Sequence, residues 1–193
     1  MTEKDRKELT IYTNAKFGNH GIPISKDKEE KLKETLQKSL SEDLTSPCIY
    51  YRWLKDACDH KNGEELDEVM LFGWIFDLFN EENVKIIEEI SLENWVKANN
   101  LEDMVKLIED HGDEKKVKSL AAMAVQKYPD LYLGDENEYV ARKVMWALHR
   151  LYESSGNEDA LEQIKKLSTC GDAMVEGLAK HHLEKLGISV QRK

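Results

Sequence analysis

"CGDAMVEGLAKHHLEKLGI", residues 170–188, reads as one helix complete with its punctuation. Asp172 stands where a helix needs an N-cap oxygen, and Gly187 stands where the departing chain needs backbone freedom. Between them Val175, Ala179, Leu183 and Leu186 recur at steps of four, four and three. With Met174 and Leu178 they form an apolar stripe wide enough to bury one face. His182 falls on the margin of that stripe, one turn from Leu178 and Leu186, and His181 lies beside it. Neighbouring residues on a helix point about 100° apart, so this pair does not chelate one ion as an i, i+4 pair would. Packing or edge hydrogen bonding is the expected role.

The same spacing occurs 35 residues upstream, where Asn137, Val140, Val144, Leu148 and Leu151 align with Asp172, Val175, Ala179, Leu183 and Leu186. "NEDALEQIKKLS" (157–168) followed by "GDAMVEGLAKHHLEKLG" (171–187) reads as two antiparallel helices joined by a tight turn. "NLEDMVKLIEDHGDEKKVKSLAAMAVQKYP" (100–129) reads as another such hairpin. The pattern resembles a HEAT or armadillo-like repeat, whose second helix often carries an aspartate, a valine one turn on, an alanine and a closing leucine. The resemblance covers roughly residues 100–187. Two features depart from it: Val117 and Val140 are only 23 apart, and the proline common in first helices is missing. The resemblance implies helix hairpins stacked as a superhelix, with a concave surface that binds macromolecules. An irregular helical bundle is the alternative.

The rest of the chain continues the helical pattern from Ser25. Leu32, Leu36 and Leu40 mark a narrow stripe, and Ser46–Pro47 opens a helix that ends at "NG" (62–63). Glu64–Phe79 is apolar almost all round. Asn80, Ser91, Asn100, Asp113, Asn157 and Asp172 each suit an N-cap, and Asp135 with Glu138 forms an aspartate capping box. Eight to ten helices are expected in one all-α domain over 25–193, with a helical first half (25–98) and repeat-like hairpins (100–187). Residues 1–24 do not fit the pattern. "LTIYT" (9–13) suggests a short strand or extended arm, and "GNHGIPI" (18–24) is turn chemistry.

Composition narrows the function classes. Among 193 residues the net charge is −10, a poor balance for gripping phosphate backbones or anionic lipid. The three cysteines, Cys48, Cys58 and Cys170, show no paired spacing and read as reduced thiols in a cytoplasmic protein. The start "MTEKDRKELT" is charged where a leader would be apolar. The longest apolar run, Val69–Phe79, is far short of the roughly 18–20 residues of a membrane span. No HExxH, CxxC, GxSxG or glycine-rich phosphate loop occurs. The mixed cluster of Cys48, Cys58 and His60 has the wrong helical spacing for zinc, so no metal and no cofactor are expected.

Two surfaces stand above this background. Tyr139, Arg142, Lys143, Trp146, His149 and Arg150 share a helix face turned from Val140, Val144, Leu148 and Leu151. Cations around an indole in an acidic chain could take an acidic segment or an aromatic plug. Equally, Trp146 could pack on the next layer while Arg142 pairs with Glu138 one turn earlier. The second surface is acidic: from Glu64 to Glu93 ten acids face one base, Lys85. Glu64, Glu65, Asp67, Glu68, Glu81, Glu82, Glu88 and Glu89 would favour a basic partner. The expected function is a non-enzymatic module that binds another protein. Alternatives are an acidic immunity or antitoxin-type inhibitor of a basic toxin, and a metal-dependent or hydrolytic enzyme using Cys58, His60 or the His181–His182 pair. A nucleic-acid binder through Arg142, Lys143, Trp146 and Arg150 is disfavoured by charge.

Overall fold

The computed structural model describes residues 2–17, 24–96, 98–113, 115–128 and 136–189. The described residues form ten helices and no strand, so the chain is all-α. The fold divides into two compact units, Met1–Phe79 and Asn80–Lys193.

The first unit holds α1 (Glu3–Phe17), α2 (Lys26–Ser39), α3 (Pro47–Asp59) and α4 (Gly63–Phe76). "LTIYT" is neither strand nor arm: it lies within α1, with Leu9 and Tyr12 buried one turn apart. Its β-branched residues favour a strand locally, and tertiary contacts overrule that preference. The helix start is fixed by a reciprocal cap in which Asp5 N donates to Thr2 Oγ1 (3.2 Å) and Thr2 N to Asp5 Oδ2 (3.2 Å). Asp5 also accepts the Ser41 amide at 2.8 Å, which ties α1 to the end of α2. Burial works to raise the Asp5 carboxyl, but its bonds to Thr2 and Ser41 outweigh that and hold it below its usual value. α1 packs on α2 and α3 on α4. Pro47 does open α3, although Ser46 makes no side-chain cap bond. Helix α4 ends earlier than its apolar run because Asp77 turns left-handed (φ 52).

The second unit holds α5 (Glu81–Ile90), α6 (Ala98–His111), α7 (Lys116–Val125), α8 (Glu136–Ser155), α9 (Glu158–Leu167) and α10 (Ala173–Lys185). The caps at Asn80, Asn157 and Asp172 form as the sequence suggests, each side chain accepting a backbone N–H. Ser91 does not start a helix. It closes α5, its hydroxyl donating to Glu88 O, while residues 92–96 are non-helical and Asn100 sits inside α6. Asp113 bonds the Lys115 amide, and Lys115 is the residue at the cap of α7. Asn137 lies inside α8, and Asp135 with its proposed box lies outside the described residues.

From α6 onward each helix packs on the next and the next but one: α6 on α7 and α8, α7 on α8 and α9, α8 on α9 and α10, α9 on α10. That is the neighbour pattern of stacked helix pairs, compatible with a bundle or a superhelix. Helix α8 is therefore central, and Val140, Ala141, Val144, Met145, Ala147, Leu148 and Leu151 are all buried. A helix touched by four others cannot be buried on a single stripe. No helix among the described residues is long and apolar enough to cross a membrane.

Candidate functional site

Helix α8 presents Tyr139, Arg142, Lys143, Trp146 and Arg150 along one edge, facing Glu102, Asp103, Val105, Lys106 and Glu109 of α6. Together they line an open groove of about 530 Å³. Five of the six residues singled out on this helix thus come together. The sixth does not: His149 is buried, not outward, because α8 is also covered by α10.

The groove's charges are paired across and along its walls. Arg150 grips Glu109 with two bonds, Nε to Oε1 at 2.7 Å and Nη2 to Oε2 at 2.6 Å. Hydrogen bonding to that carboxylate raises the Arg150 guanidinium above its ordinary value. Lys143 pairs with Glu102 (3.0 Å), Lys106 with Asp110 (2.7 Å), and Arg142 with Glu138 one turn before it. In each pair the cation is the more exposed half. Arg150 is 49% exposed over a Glu109 side chain at 8%, and Lys143 is 48% exposed over Glu102 at 21%. Glu109 and Glu102 therefore lie in the floor beneath Arg150 and Lys143, while Asp103 is exposed on the α6 wall. Tyr139 (55% exposed) and Trp146 (38% exposed) stand among them, two turns apart on α8.

Behind Trp146 is a buried cluster. The rings of Trp146 and His182 meet edge to face at 4.7 Å, and those of Trp146 and His149 at 5.5 Å. The two Nδ1 atoms of His149 and His182 are 3.2 Å apart, and His149 Nε2 lies 3.2 Å from Glu153 Oε2. A hydrogen bond between the two rings needs one to present Nδ1–H and the other a bare Nδ1. Burial, then the nearby His149, Lys185 and His181, pull His182 down to about 4. The Lys185 ammonium stands 4.3 Å from the Trp146 ring centroid. His182 is thus a core residue rather than a marginal one, more buried than Met174, Leu178 or Leu186. His181 remains exposed.

The acidic set is divided between units. Glu64, Glu65, Asp67 and Glu68 lie on α4, and Glu81, Glu82, Glu88 and Glu89 on α5. Glu64, Glu65, Glu81 and Glu82 sit in first turns, where they complement the helix dipole. Glu65 accepts the Trp53 indole N–H (3.3 Å) and Glu68 accepts from Arg6 (2.9 Å). Burial raises Cys58 to about 12, leaving it a thiol, and His60 is exposed. Among the described residues no three His, Cys, Asp or Glu side chains gather as ligands would.

Sequence reasoning missed the α6 wall and the His149–His182 contact. Glu102, Lys106 and Glu109 recur at four and three residues beside the buried Leu101, Val105 and Ile108, which was the available signal. No known protein family, curated protein or solved structure matches the chain.

Proposed function

We propose that this chain is a non-enzymatic protein-binding module, and that the groove between α6 and α8 is its binding surface. The observation that carries the reading is the exposure of Tyr139 and Trp146 among Arg142, Lys143 and Arg150. Exposed aromatics and arginines are the residue types that dominate binding hot spots, because each offers large contact area with few rotamers to freeze. Trp146 is also held in place from behind by His182 and His149, so little conformational freedom is lost when a partner covers it. The groove needs no chemistry in this role.

Selection of a displayed library of random twelve-residue peptides against the full chain tests the reading. Enriched peptides are expected whose affinity falls about ten-fold or more in Tyr139→Ala, a residue exposed enough to be replaced without disturbing the core. An unenriched library, or peptides indifferent to Tyr139→Ala, would contradict it.

A further inference from the structure

We infer that the segment taken by this groove is acidic and carries an aromatic or branched aliphatic anchor, an inference that rests on the binding reading above. Three observations converge on that chemistry. First, an incoming chain meets four cations at the rim against one exposed lining carboxylate, Asp103. Lys106, Arg142, Lys143 and Arg150 are each about half exposed, while Glu109 and Glu102 lie beneath them. A basic segment would meet four like charges at the rim and would have to strip Glu109 from a two-bond arginine clamp. An acidic segment meets donors instead: Lys143 carries three N–H groups and Arg142 five, while each is held by a single nitrogen–oxygen contact, to Glu102 and Glu138.

Second, the indole of Trp146 already has a cation against it, Lys185 Nζ at 4.3 Å from the ring centroid. A lysine or arginine from a partner would add a second ammonium or guanidinium to the same π-system and be repelled by the first. An uncharged ring or branched aliphatic group suffers no such repulsion and gains the area of the exposed indole. Third, the anchors set a length. Tyr139 and Trp146 are roughly 10 Å apart along the helix axis, a span covered by three or four extended residues. A short linear segment therefore reaches both rings and the intervening Arg142 and Lys143.

The composition of the peptides selected on the full chain decides the matter. Peptides lost in Tyr139→Ala should be enriched at least about two-fold in Asp and Glu over the naive library, around a Trp, Phe, Tyr, Leu or Ile. Their binding should weaken with added salt. Arg142→Glu combined with Lys143→Glu, both on exposed side chains, should weaken the leading acidic peptide about ten-fold or more with the helical circular dichroism unchanged. Peptides lost in Tyr139→Ala but rich in Lys and Arg would overturn this inference and leave the groove as a binding surface. An acidic pool indifferent to the double reversal would also overturn it. The absence of any Tyr139-dependent pool would remove both readings together.

Discussion

Acidification from pH 6.5 to about 4 is expected to cost the second unit up to about 3 kcal/mol of stability through His182 alone. In the unfolded chain the ring takes a proton at its ordinary value of 6.5; in the folded chain burial holds it neutral down to about 4. The unfolded state thus binds more protons across that window. The contribution is complete above pH 6.5, falls through the window, and is fully lost below about 4. Urea unfolding of wild type and His182→Gln, compared from pH 7 to pH 4, isolates the effect from carboxylates that titrate in both. The variant should gain on wild type by about 3 kcal/mol as pH falls. Parallel curves would refute the buried neutral His182.

Gly73→Ala should cost the first unit about 3 kcal/mol or more. A methyl at Gly73 would lie 2.2 Å from Tyr50 Oη and 2.5 Å from Phe79 Cζ. Neither ring can retreat cheaply. Tyr50 is 1% exposed, its hydroxyl donates to Val69 O at 3.3 Å, and Phe79 packs edge to face on it at 6.1 Å. Moving Tyr50 leaves that buried hydroxyl unpaired. Gly177 in α10 is the internal contrast, since a methyl there meets nothing within 4 Å. Gly177→Ala should stabilise by about 0.5–1 kcal/mol, because alanine loses less backbone freedom in a helix. Chemical denaturation of both variants checks the pair. A loss under about 1 kcal/mol for Gly73→Ala would show that α3 and α4 approach less closely than 2.2 Å implies.

Helix punctuation was the most legible part of the sequence. Asn80, Asn157, Asp172 and Pro47 mark true starts, and Gly156 and Gly187 adopt the positive φ (65° and 71°) that a helix exit uses. Such signals are local, so one sequence suffices to read them. α1 was hidden because its defining bond, Asp5 to Ser41, spans 36 residues, while "LTIYT" alone carries strand preference. The 35-residue offset aligned Leu148 with Leu183, yet the histidines beside those leucines, His149 and His182, were read separately. Helices α8 and α10 are next-but-one neighbours, and that stacking turns the two histidines onto each other. Reading α8 as one stripe assumed one partner surface. Four contacting helices widen its buried arc to include His149 and leave the edge from Tyr139 to Arg150 outside.

Fluorine NMR of the full chain carrying 5-fluorotryptophan tests the groove most directly. The Trp146 resonance is assigned by its loss in Trp146→Phe, and the selected acidic, aromatic peptide is then titrated in. The resonance of Trp146 should shift saturably while those of Trp53 and Trp74, which line no part of the groove, stay in place. A peptide that binds without moving Trp146 would place the binding surface elsewhere and contradict the account.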